Sequence, residues 1–196
     1  MKKQVILIEG GRTFRDYGAY LNHLKSMPIS LEYLNKATWR DTLAKDLGDT
    51  FQVIRLQMPN RMNARYTEWE IYFERYLELM SNKVTVVGHS LGALFLVKFF
   101  SENNSCSHKI DKLILVAAPF GGQGSNLDVV DFSLSDERFV PPFSTTLFSS
   151  DNDPLVPQND AVKYQELIAK LKIIDIPNRG HFSEKDFTEL QSEIRG

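Results

Sequence analysis

Gly88-His89-Ser90-Leu91-Gly92 constrains this chain more than any other stretch, because it stands where a strand pattern gives way to a helix pattern with no loop between. Lys83-Val84-Thr85-Val86-Val87 before it is a short β-branched run of the kind buried in a parallel sheet. Leu91, Ala93, Leu94, Phe95, Val97, Phe99 and Phe100 after it suit a buried helix. A chain that turns this sharply holds its corner residue, Ser90, in a strained backbone conformation with the hydroxyl exposed at the top of the sheet. Glycines two residues to either side remove side chains that would collide where strand and helix pack so closely.

The same alternation runs through the whole chain. Strand-like runs fall at about residues 3–8, 51–57, 83–87, 112–117, 144–149 and 171–176. Helix-like runs fall at about residues 38–47, 66–80, 91–102, 158–170 and 184–194. This pattern predicts a mostly parallel sheet of about six strands, covered by helices on both faces through right-handed crossovers. No linker or repeat interrupts it, so one domain over residues 1–196 with no separate lid domain is expected. Two connections break the rhythm: Gly10–Ala37, and Ala118–Pro142 with its Gly121-Gly122-Gln123-Gly124 turn. Both follow strands, so both lie over the carboxyl edge of the sheet, where open α/β folds bind ligands.

Composition narrows the partners. A formal net charge of −2 without a basic run argues against nucleic acid or a membrane surface. No stretch is long enough to span a bilayer, so no membrane insertion is expected. Val5-Ile6-Leu7-Ile8 is too short for a signal peptide, ends at Glu9 and reads as a strand. The lone Cys106 forms no internal disulfide, which favours a reducing, cytoplasmic setting. No His, Cys and carboxylate cluster has metal-ligand spacing, and the glycine-rich turn is no dinucleotide fingerprint, so no cofactor is expected.

A serine hydroxyl is a poor nucleophile unless a base takes its proton. Of the four histidines, His89 adjoins the serine and packs beneath the turn, His108 lies at the amino edge, and His23 precedes the turn in the first long loop. His181 follows the last strand in Pro177-Asn178-Arg179-Gly180-His181-Phe182 and is the expected base. Its orienting acid belongs after the preceding strand, where Asp151 and Asp153 both stand; Asp153 is favoured, with Asp151 closing the turn. Asp175, inside the last strand, is expected to pair or cap there. An oxyanion needs two backbone donors: the amide of Leu91, at a helix start, and one from Gly10-Gly11-Arg12, where Gly11 is preferred over Arg12.

With these residues in place the sequence resembles the small α/β-hydrolase-fold serine hydrolases of the retinoblastoma-binding protein nine type. The likeness covers nearly the whole chain: the opening strand with its glycine, Met58-Pro59-Asn60 followed by Trp69, Gly-His-Ser-x-Gly, Ala118-Pro119-Phe120, Asp153-Pro154 with Val156-Pro157, and Gly180-His181. It implies the α/β-hydrolase fold, with Ser90 as nucleophile, Asp153 as acid and His181 as base. Two departures stand out: Glu9 occupies a position that is histidine in many relatives of the wider superfamily, and Gly10–Ala37 is longer than the family pattern.

The expected reaction is cleavage of a small-molecule acyl ester through an acyl-enzyme, with amide cleavage and acyl transfer using the same residues. A non-catalytic module binding a protein partner is the alternative, which the family's name keeps open. Phe120, Phe132, Phe139 and Phe143, in or beside the connection after the fourth strand, are expected to line an apolar acyl pocket. Arg12, Arg15, Arg61 and Arg65 follow strands and either select an anionic substrate or, the preferred reading, are solvated surface charges. Trp39 and Trp69 are expected to pack on the sheet, and Cys106 to be a bystander thiol rather than half of a dyad with His108.

Overall fold

The computed structural model describes residues 2–81, 83–103, 107–121 and 129–196. Its strands are β1 (Lys3–Ile8), β2 (Phe51–Leu56), β3 (Val84–His89), β4 (Ile110–Val116), β5 (Ser144–Ser149) and β6 (Lys172–Asp175). Its helices are α1 (Tyr17–Ser26), α2 (Leu31–Asn35), α3 (Trp39–Leu47), α4 (Tyr66–Leu79), α5 (Leu91–Glu102), α6 (Asn159–Leu167) and α7 (Thr188–Arg195). Short 3-10 turns cover Arg61–Asn63, Ser107–Lys109 and Val130–Phe132.

All six strands form one parallel sheet in the order β2-β1-β3-β4-β5-β6. The apolar runs of β1, β3 and β4 are buried because both faces are covered. On one face α4, α5 and α6 contribute Trp69, Phe73, Phe95, Phe99, Tyr164 and Leu167 to a large core. On the other, α3 and α7 contribute Trp39, Leu43, Leu190 and Ile194 to a smaller one. Both tryptophans thus pack on the sheet as the amphipathic patterns require. Each fully buried phenylalanine contributes about 1.5–3 kcal/mol by leaving water.

Strand order decides where a site can form. From β1 the chain steps to β2 on one side, then returns to β3 on the other, so the connections leaving β1 and β3 diverge. Their carboxyl ends are in register, Ile8 beside Gly88, and the crevice between them is the switch point at which open α/β sheets bind ligands.

The expected and observed elements agree to within a few residues, with three differences. The first long connection contains α1 and α2; Asp16 starts α1 by accepting from the Ala19 amide at 2.8 Å, yet no α1 residue is buried. Strand β3 continues through Gly88 and His89 to the corner itself. The last helix begins at Thr188 rather than near residue 184, because the Glu184 carbonyl is spent on the Trp39 amide at 2.8 Å, at the start of α3. Cys106 and Gly122-Gln123-Gly124 lie outside the described residues.

Candidate active site

The corner between β3 and α5 has the strain that its sequence predicts. Ser90 sits at φ 56° and ψ −126°, a conformation that costs a non-glycine residue about 1–3 kcal/mol. Its backbone is pinned on both sides: the Ser90 amide donates to Val116 of β4 at 2.9 Å, and its carbonyl accepts from the Ala93 amide at 2.9 Å. The flanking glycines are required by close approach. A Cβ on Gly88 would lie 2.7 Å from the Ala93 Cα, and one on Gly92 would lie 2.5 Å from the Ile8 carbonyl oxygen. Helix α5 can therefore start directly under the strand ends, with the Leu91 amide in its first turn at the positive end of the helix dipole.

The histidine and its carboxylate arrive from the other half of the sheet. Asp153 follows β5 and His181 follows β6, and His181 Nδ1 lies 2.8 Å and 3.1 Å from the two Asp153 carboxylate oxygens. Both side chains are largely buried, with 2% of Asp153 and 14% of His181 exposed. Asp153 is itself held by the Leu155 and Val156 amides at 2.8 and 3.1 Å. A carboxylate on Nδ1 fixes the tautomer whose Nε2 accepts a proton. His181 and Ser90 line the same cleft.

Two loops are stitched together to place that histidine. Three successive amides after β6 donate to side chains after β5: Asn178 to Asp151 at 2.8 Å, Arg179 to Ser150 at 3.0 Å, and Gly180 to Asn152 at 2.7 Å. Asp151 thus closes the turn, and Asp175 accepts from the Ser149 hydroxyl at the end of the last strand. Ser150 and Asn152 were not singled out from the sequence; the signal was there, as a polar run opposite a glycine-bearing turn after neighbouring strands.

His89 packs beneath the corner and braces His181 from below. Its Nε2 lies 3.0 Å from the His181 carbonyl oxygen, and the two rings meet edge to face at 4.9 Å. Burial holds the His89 imidazole well below its ordinary pKa, and the charges of Arg40, His181 and Arg61 add to this. Neutral His89 therefore donates its Nε2 hydrogen to that carbonyl. His108 lies in the 3-10 turn before β4, at the amino edge, and His23 lies on α1 against Phe14.

The first loop reaches the corner from β1. A Cβ on Gly10 would stand 2.8 Å from the Ser90 Cβ, so the loop backbone runs directly beside the serine. The Arg12 amide donates to the Arg61 carbonyl at 2.8 Å. Arg61 also donates from Nε to the Gly10 carbonyl at 3.2 Å, fixing the loop from its other side. Glu9, buried at the end of β1, is paired with Arg55 and with Arg61, the latter at 3.2 Å.

The cleft has a volume of about 230 Å³ and an unexpected lining. Besides Ser90, His181 and His89 it shows Arg12, Arg40 and Arg61, with Met62 and Leu155 as apolar contributors. Arg40 was missed in the sequence, and Arg65 turns elsewhere, donating to the Phe14 carbonyl at 2.8 Å. The phenylalanines expected to line an acyl pocket do not line this cleft. Phe132 is fully buried edge-on to Trp69 and Tyr66, and Phe143 packs on Phe100 at 5.2 Å. Phe139 is fixed beside the end of α6, its amide donating to Leu167 at 2.8 Å, and Phe120 packs on Tyr164 at 5.1 Å. Phe132, Phe139 and Phe143 belong to the core on the α4–α5 face, and Phe120 packs against it.

Residues 33–193 match the model of a family described as Serine hydrolase. The chain belongs to the serine hydrolase family. No curated protein matches it by sequence. Among solved structures, this serine hydrolase is similar to the ydeN gene product of B. subtilis, with 18% identity and a TM-score of 0.71 over 99% of this chain and 97% of that one. A YdeN-like hydrolase from Pectobacterium atrosepticum shares 19% identity at a TM-score of 0.64, over 93% of this chain and 80% of that one. A meta-cleavage product hydrolase, CumD in its A129V form, shares 16% identity at a TM-score of 0.67, over 99% and 90% respectively. At such identities the likeness establishes the fold, and it is the α/β-hydrolase fold. The protein is a small serine hydrolase of α/β-hydrolase type.

Proposed function

We propose that this hydrolase cleaves small acyl esters through a covalent acyl-enzyme on Ser90. Ser90 attacks the acyl carbonyl while His181 takes its proton; His181 then protonates the departing alcohol, and Asp153 holds the ring throughout. Water, activated by the same histidine, releases the acid, and no cofactor enters. The amides of Leu91 and Gly11 receive the negative charge of the tetrahedral intermediate, each worth about 3–4 kcal/mol. The observation that carries this reading is the strained Ser90 in one cleft with His181, whose Nδ1 already holds a buried carboxylate at 2.8 Å. The cleft volume of about 230 Å³ favours short acyl groups. Within the family, the motifs from Met58-Pro59-Asn60 to Gly180-His181 favour the retinoblastoma-binding protein nine type.

Intact mass after treatment with a fluorophosphonate tests the reading. Wild type should gain a single adduct, and folded Ser90→Ala should gain none and lose about a millionfold in turnover of a short ester. No adduct on folded wild type would overturn it and favour a binding module that keeps the fold without the chemistry.

A further inference from the structure

The whole chain carries a net charge of −2, yet the crevice around Ser90 is cationic. The cleft shows three guanidinium groups, from Arg12, Arg40 and Arg61. A second cavity of about 340 Å³ adjoins it, sharing Glu9, Arg40 and Arg61 and adding Lys36, Asp41 and Arg55. Five cationic side chains therefore face two carboxylates around the joined space. The two carboxylates are already partnered: Arg55 pairs with both Glu9 and Asp41, and Arg61 with Glu9. Around the serine itself, three guanidinium groups and the one carboxylate of Glu9 line the cleft among the described residues.

Two of those side chains, Arg61 and Arg40, are held in place. Arg61 is fixed by Glu9 and the Gly10 carbonyl. Arg40 lies in the first turn of α3, its guanidinium over the Trp39 ring at 5.4 Å and its Nη1 3.4 Å from the Phe182 carbonyl, one residue beyond His181. The positive field reaches beneath the serine, since Arg40 and Arg61 both help to keep His89 neutral. Arginine presents a planar fork that matches carboxylate or phosphate, and a cleft lined by one sign of charge concentrates the opposite ion. Among the described residues Met62 and Leu155 are the two apolar side chains that line the cleft, beside three arginines and Glu9.

We infer that the preferred substrate of this site carries an anionic group close to the scissile carbonyl, bound by Arg12 and Arg40 with Arg61 behind them. The inference rests on the proposed hydrolysis at Ser90 and names the substrate class of that same site. The anion lies either in the acid part or in the leaving alcohol, and a carboxylate serves as the probe for both.

Matched esters separate the two. Monomethyl succinate against methyl pentanoate places the charge on the acyl side; para-acetoxybenzoate against its neutral methyl ester places it on the leaving group. In low salt kcat/KM for at least one anionic ester should exceed that of its neutral partner by about tenfold, the scale of one charge-assisted hydrogen bond. That ratio should shrink as salt is added, and should fall towards one in Arg12→Gln and Arg40→Gln. Fluorophosphonate labelling is run on every sample. A labelled enzyme whose ratios are near one or below overturns the anionic preference and leaves the hydrolase reading standing, as does one that turns over neither anionic ester. A preference that both variants retain overturns the assignment to these arginines. No labelling and no turnover would instead overturn the hydrolase reading, and this inference with it.

Discussion

Asp151 and Asp153 stand two residues apart after the same strand, and the sequence favours Asp153 over Asp151 as the partner of His181. Their hydrogen bonds separate them. Asp153 puts both carboxylate oxygens on the imidazole, whereas Asp151 accepts from the Asn178 amide. An amide in place of Asp153 would present a donor to Nδ1 and stabilise the wrong tautomer, so Asp153→Asn should lower kcat about ten-thousandfold. Asp151→Asn keeps a carbonyl oxygen for the Asn178 amide and should change kcat by less than about threefold. Steady-state kinetics on a short ester, with folding checked by circular dichroism, decide between them; equal losses would move the acid role away from Asp153. Ser90 and His181 were legible because each is fixed by a local pattern plus a topological rule: a serine flanked by close-packing glycines, and a histidine beyond the last strand. No local pattern marks Arg40, although a helix crossing back from the end of one parallel strand starts at the carboxyl edge. The first turn of α3 was therefore bound to lie near the site, and the Thr38 cap preceding it marks that turn.

At the scale of elements, the loops after β5 and β6 act as one unit. Neither loop has regular structure, and the contacts that bind them are three side chains of one loop receiving three consecutive amides of the other. Asn152 takes the amide of Gly180, the residue directly before His181, and Ser150 donates to Asn152 at 3.0 Å. Removing the Asn152 acceptor frees the peptide that carries the histidine. Asn152→Ala should thus lower kcat by about a hundredfold, the usual cost of a misplacement near 1 Å, while KM changes little. A merely structural role would lower the melting temperature without that split between kcat and KM. The sequence announces strands and helices through periodicity, but such a lacing depends on which loops meet, and strand order is not encoded in either loop. Helix α1 leaves no clear mark in the sequence either: it buries nothing, so its apolar residues give no clean face.

The whole molecule divides its aromatic residues between two faces of one sheet, and this division places the four phenylalanines expected at an acyl pocket in or against one core. Phe120, Phe132, Phe139 and Phe143 follow β4 and so belong to a connection that leaves the carboxyl edge, where ligands bind. Leaving that edge does not mean staying there. Phe132 instead meets Trp69 at 5.4 Å and Tyr66 at 5.9 Å, and with Phe95 they form an aromatic cluster between α4, α5 and the returning chain. A sequence gives the edge from which a loop departs, but which face it covers depends on where buried area is still to be gained. The two roles have opposite signatures. A pocket residue discriminates chain length, because one methylene is worth about tenfold or more in kcat/KM. A core residue supports the fold, and truncating a buried phenylalanine costs about 3–5 kcal/mol. Phe132→Ala should consequently lower the melting temperature by about 10 °C in a chain of this size, while the ratio of kcat/KM for butyrate over acetate esters stays within about twofold of wild type. A changed chain-length preference at unchanged stability would return Phe132 to the pocket.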